Sequence, residues 1–126
     1  MPVSVVMETG RTGLGAYQVE VTAKGASFVG LEGGTGAYKD APYYDPGAMR
    51  NSSEGRENKI VVAGFSLAAA AELPAGATRV ATLHLAVSGV GNPEVTSKLV
   101  VAADHDGATI KDATVRLQFP QQGEIR

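Results

Sequence analysis

The stretch Leu14–Gly34, LGAYQVEVTAKGASFVGLEGG, decides the fold class. Tyr17, Val19, Val21 and Ala23 alternate with Gln18, Glu20 and Thr22. A period of two gives a strand one apolar and one polar face, so it packs on one side and meets water on the other. Lys24-Gly25-Ala26 interrupts the alternation, and Ser27–Glu32 resumes it. Two amphipathic strands joined at a glycine point to an all-β chain.

Similar runs and breaks recur throughout. Val3–Thr9 is an apolar first strand and Gly10–Gly13 a turn. Lys59–Phe65, KIVVAGF, is a nearly continuous apolar run and reads as a central strand. Arg79–Ser88 sets Ala81, Leu83, Leu85 and Val87 against Thr82, His84 and Ala86. Thr96–Ala103 and Thr109–Phe119 read as the last strands, followed by a polar tail over Pro120–Arg126. Turns are expected at Gly89–Pro93 and, as a hairpin-type connection, at Asp104-His105-Asp106-Gly107. Ser66–Leu73, SLAAAAEL, is the one segment with helix propensity, with Ser66 as the candidate N-cap. It is too short for more than a turn or two. Between Gly33 and Asn58 runs a long irregular segment rich in Gly, Pro, Asp and Asn, in which Ala37–Lys39 is expected to pair as a short edge strand. Loops of this length in a compact domain are often functional. Roughly seven to nine strands with regular turn signals describe an all-β sandwich or jelly roll, one domain over residues 1–126.

Composition narrows the function classes. The chain has 126 residues, is 44% apolar and 19% charged, and carries a formal net charge of −2. That apolar content supports a packed core rather than a disordered tail. Lys and Arg are scattered singly, without the basic stripe that nucleic-acid binding requires. The absence of cysteine excludes a disulfide framework, a thiolate metal site and a thiol nucleophile. No apolar run approaches the ~20 residues that span a bilayer, so no membrane insertion is expected. Met1-Pro2-Val3-Ser4 lacks the features of a signal peptide, so the chain reads as an excised module or a mature subunit.

On GAYQVEVTAKGASFVGLEGG, on Lys59–Phe65 and on Leu73-Pro74-Ala75-Gly76 followed by VATLHLAV at Val80–Val87, the sequence resembles the cohesin and cohesin-like modules. The resemblance covers roughly residues 14–119 and consists of strand cadences. The family's Tyr-Asp-Pro at the end of the early strand is replaced here by Thr22-Ala23-Lys24-Gly25, and there is room for only one strand before the GAY segment. The resemblance implies a jelly-roll sandwich that binds another protein at the surface of a bacterium or archaeon. The partner would be a dockerin-like module or another surface protein, with this chain on the receptor side.

Individual residues refine that expectation. Tyr38, Tyr43 and Tyr44 lie with Asp40 and Asp45 in the irregular segment, and tyrosine supplies rigid amphipathic contact area. The simpler alternative is that Tyr43 or Tyr44 folds back to plug the sandwich, with Asp45-Pro46-Gly47 a plain turn. Tyr43 and Tyr44 are the rim candidates for partner binding, beside Arg79, Thr82 and His84 on a sheet face. Asp104 and Asp106 are weak calcium candidates, to be weighed against a turn in which Asp accepts its own backbone N–H groups. His84 and His105, the only histidines, show no metal-ligand spacing. No nucleophile elbow or phosphate loop is present, which argues for a non-catalytic module. Asn51-Ser52-Ser53 matches a glycosylation sequon, a short pattern expected by chance. Two rival readings stand beside the protein-binding one. The first is a carbohydrate-binding module, disfavoured by the lack of Trp. The second is a surface-layer or filament subunit that self-associates through edge strands.

Overall fold

A computed structural model describes residues 1–53, 55–87 and 93–120. The turn expected at Gly89–Pro93 and the tail after Pro120 fall almost wholly outside the described residues. Among these residues seven strands form: β1 (Pro2–Glu8), β2 (Ala16–Lys24), β3 (Ser27–Gly33), β4 (Asn58–Phe65), β5 (Ala77–Ala86), β6 (Glu94–Ala103) and β7 (Thr114–Gln118). They make a four-stranded sheet in the order β3-β5-β1-β7 and a three-stranded sheet in the order β4-β2-β6. Every neighbouring pair is antiparallel. The two sheets enclose one core, which makes the chain an all-β two-sheet sandwich.

The connectivity has one rule: successive strands alternate between the sheets. No described strand pairs with its neighbour in sequence. The two strands of Leu14–Gly34 therefore lie in opposite layers. Gly25 turns the chain between them at φ 80°, a conformation that a side chain would oppose. The hairpin expected at Asp104–Gly107 closes only locally, by an Ala103–Thr109 bridge, and the chain then crosses to β7 in the other sheet.

The period-two alternation sets the core. Tyr17, Val19, Val21 and Ala23 of β2 point inward and are buried. They meet Val3, Val5 and Met7 of β1, Phe28 of β3, Ile60 and Val62 of β4, and Leu83 and Leu85 of β5. Each of these Val, Leu, Ile, Met and Phe side chains contributes about 1.5–3 kcal/mol by leaving water.

Four local expectations are corrected. Gly36–Tyr38 forms a single 3-10 turn rather than an edge strand, and Tyr43 makes the β-bridge instead. The alanine run yields only a 3-10 turn at Ala70–Glu72, and Ser66 does not cap it. Leu73 is the buried anchor of that segment while Leu67 is exposed, so no apolar stripe holds a helix against the sandwich. The one α-helix among the described residues is α1 (Pro46–Arg50), where a plain turn was the alternative expectation. Asp45 accepts the Gly47 N–H at 2.9 Å and Pro46 occupies the first turn, an N-cap followed by a helix-starting proline. Finally, β4 is an edge strand rather than a central one.

The long segment between β3 and β4 closes one side of the sandwich. It leaves β3 at Gly34, where a Cβ would lie 1.8 Å from the Arg79 carbonyl oxygen, so only glycine fits. Tyr38 turns inward, is 4% exposed, and donates its hydroxyl to the Leu14 carbonyl at 2.7 Å. Its ring meets Tyr17 edge-on, with centroids 5.4 Å apart. Burial pushes the Tyr38 phenol up to about 12 from the usual 10. Burial, and secondly the neighbouring Tyr38, raise Tyr17 as well. Unfolded tyrosines release their protons from about pH 10, whereas the folded chain retains them. Folding stability is thus expected to be intact below pH 10 and to be lost as pH rises through 12. Thermal unfolding across that range checks this, and Tyr38→Phe should flatten part of the fall.

Asn58, 5% exposed, ties the end of the loop. Its amide nitrogen donates toward the carbonyls of Ala26 (2.8 Å), Ser53 (2.7 Å) and Arg56 (3.2 Å), and its oxygen accepts the Ser53 N–H at 3.0 Å. Asn58→Ala leaves the buried Ala26 carbonyl without its side-chain donor and is expected to cost about 2 kcal/mol of stability in denaturant unfolding.

Candidate partner-binding face

Because β2 turns Tyr17, Val19 and Val21 inward, the three-stranded sheet presents the intervening residues to solvent. Cross-strand register sorts them into rows. Phe65, Ala16 and Ala103 form one row, and Ala63, Gln18 and Val101 the next. Val61, Glu20 and Lys98 follow, then Lys59, Thr22 and Thr96. The face is therefore apolar at the Phe65 end and charged at the other, where Lys59 and Glu20 pair at 3.7 Å.

Tyr43 extends the apolar end. Its N–H donates to the Ala63 carbonyl at 2.8 Å, and its carbonyl accepts the Ala63 N–H at 3.0 Å. That bridge carries the second row past the β4 edge. The Tyr43 ring lies parallel to Phe65, with an interplanar angle of 3° and centroids 6.1 Å apart. Pro42 before Tyr43 and the Asp45 cap after it fix the backbone on both flanks. Tyr43 is 68% exposed, Phe65 54% and Val101 41%. Beneath the pair a cleft of about 230 Å³ opens between Tyr17, Tyr38, Asp40, Pro42 and Tyr43. An aromatic side chain buries about 150–250 Å² when covered, so this pair leaves on the order of 2 kcal/mol or more of transfer free energy unrealised.

The residues expected at the interface fall into two groups. Tyr43 and Tyr44 sit beside the three-stranded sheet, both exposed. Arg79, Thr82 and His84 lie on β5, on the outer face of the four-stranded sheet. There Thr82 stands opposite Ser4 and Glu32, and His84 opposite Pro2 and Gly30. The His84 imidazole contacts the Glu32 carboxylate. The structure does not bring the two groups onto one face. Sequence reasoning missed Phe65, Val61, Ala63 and Val101, although a signal existed. An apolar run with no polar alternation means either burial on both faces or an uncovered outer face, and β4 is the second case.

The Asp104–Gly107 loop is a turn by geometry. Asp104 Oδ1 accepts the N–H groups of Asp106 and Ala108, both at 2.9 Å, and Gly107 takes φ 84°. His105 Nδ1 lies 3.3 Å from the Asp106 carboxylate. Asp40 and Asp45 sit in the loop between β3 and β4, Asp45 as the α1 cap. Among the described residues no group of three or more acidic or histidine side chains is placed to hold a metal ion. No helix among them is long and apolar enough to cross a membrane.

Comparison with family models, curated proteins and solved structures finds no match for this chain.

Proposed function

We propose that the chain is a non-catalytic, cohesin-like protein-binding module of an extracellular or cell-surface protein, and that the outer face of its three-stranded sheet receives the partner. The exposed parallel pair Tyr43–Phe65 carries this reading. A two-layer sandwich satisfies its core with inward residues alone, and its outer faces are ordinarily polar. A contiguous apolar patch bordered by charge marks a surface that a partner covers. Aromatic anchors at one end, with Glu20, Lys59 and Lys98 at the other, give the patch an apolar part and a charged margin, as partner-binding surfaces have. Arg79, Thr82 and His84 belong to a separate polar face.

Capture from the secreted proteins of the native organism, with and without calcium, tests the reading. A partner retained by the wild-type chain and lost by Tyr43→Ala/Phe65→Ala supports it. Equal capture by both chains removes this face from the account. A second reading draws on the same observation, because two parallel exposed rings also suit the apolar face of a sugar. Binding on a glycan panel without protein capture would favour that class.

A further inference from the structure

The two sides of the sandwich are finished differently. On one side β3 and β4 are capped. The Ser52 hydroxyl accepts the Phe28 N–H at 3.0 Å, and Tyr43 pairs with Ala63. On the other side β6 and β7 are the outermost strands. β7 pairs with β1 alone, and among the described residues no backbone hydrogen bond outside that ladder reaches Thr114–Gln118. Its inward residues Val115 and Leu117 are only partly buried, whereas Val3, Val5 and Met7 of the adjacent β1 are completely buried. Among the described residues, a row of N–H and C=O groups without partners thus runs beside apolar surface that the core does not finish covering.

We propose that an acidic, extended segment of another protein adds to β7 as a fifth strand of the four-stranded sheet. The free edge specifies an extended backbone, and Val115 and Leu117 specify apolar side chains at alternate positions. The outward residues of β7 are Thr114, Arg116 and Gln118, with no acid among them. Arg116 stands in one cross-strand row with Val6 and Arg79. Val6 alternates with the core residues Val5 and Met7, so it faces outward, yet it is 4% exposed. Its two neighbours in the row, Arg79 and Arg116, are exposed and put two positive charges on this face. Among the described residues neither arginine has a carboxylate within ion-pair distance. A carboxylate on the outward side of the added strand meets this charge. A second copy of the chain does not, because pairing two β7 edges about Arg116 sets like charges opposite each other. The site shares with the proposed function only the premise of a protein ligand, and it lies on the other sheet from Tyr43 and Phe65.

The test uses a short peptide alternating valine and glutamate at neutral pH, with poly-L-glutamate as a charge-only arm. The peptide should bind and slow hydrogen exchange of the amides of Thr114–Gln118. Arg116→Glu should weaken it by about tenfold or more, and Arg116→Lys should retain most of the affinity. Thermal melting verifies that the exposed-site variants fold. Three results overturn the proposal: no binding of the peptide, binding without protection of β7, or equal protection by poly-L-glutamate. Capture through Tyr43 and Phe65 should survive Arg116→Glu, so failure here is distinguishable from failure of that face.

Discussion

Tyr38→Ala is expected to lower folding stability by about 3–5 kcal/mol, the range for removing a buried aromatic side chain. Three contacts go together. The hydroxyl bond to the Leu14 carbonyl disappears, leaving that carbonyl without its partner. The edge-on contact with Tyr17 is lost. A cavity opens where the loop enters the core, and the backbone bond from Gly34 N–H to the Tyr38 carbonyl, 2.7 Å, loses its anchor. Tyr38→Phe separates the hydroxyl from the ring and should cost about 1–3 kcal/mol. Denaturant titration of the three chains measures both quantities. A loss below 1 kcal/mol for alanine would show that Tyr38 does not hold the loop.

Tyr43→Ala and Phe65→Ala should each weaken partner binding by about 2 kcal/mol while shifting stability by no more than about 0.5 kcal/mol. Affinity and stability separate here because both rings are mostly exposed, so folding gains little from them. The Ala63 bridge that positions Tyr43 uses only backbone atoms and survives the substitution. The rings stack on each other, so removing one alters the setting of the second, and the double variant should fall short of the sum. Titration calorimetry with the captured partner, alongside thermal melts, checks both halves. A stability loss matching the affinity loss would return the pair to the core's account.

Strands were legible in this sequence because their signal is local. β2 shows the alternation of Tyr17, Val19, Val21 and Ala23 in both sequence and burial. Their partners were not legible, because every ladder joins strands distant in sequence. Nothing in Lys24-Gly25-Ala26 tells a hairpin from a crossing between sheets. The loop tyrosines show the same limit. Tyr38 and Tyr43 have one chemistry, yet Tyr38 enters the core and Tyr43 stays outside. The sandwich decides which, since β4 offers Tyr43 an edge to pair with. By contrast α1 was within reach, because Asp45-Pro46 is a local cap signal that composition obscured. The apolar run of β4 carried the candidate site in plain view, but an uncovered outer face reads like a buried one until the sheet order is known.

Hydrogen-exchange mapping of the chain bound to its captured partner tests the central claim most directly. Slowed exchange should appear along Asn58–Phe65, at Tyr43 and at the Phe65 end of β2. Protection confined to Ala77–Ala86, with β4 and Tyr43 exchanging as in the free chain, would contradict it.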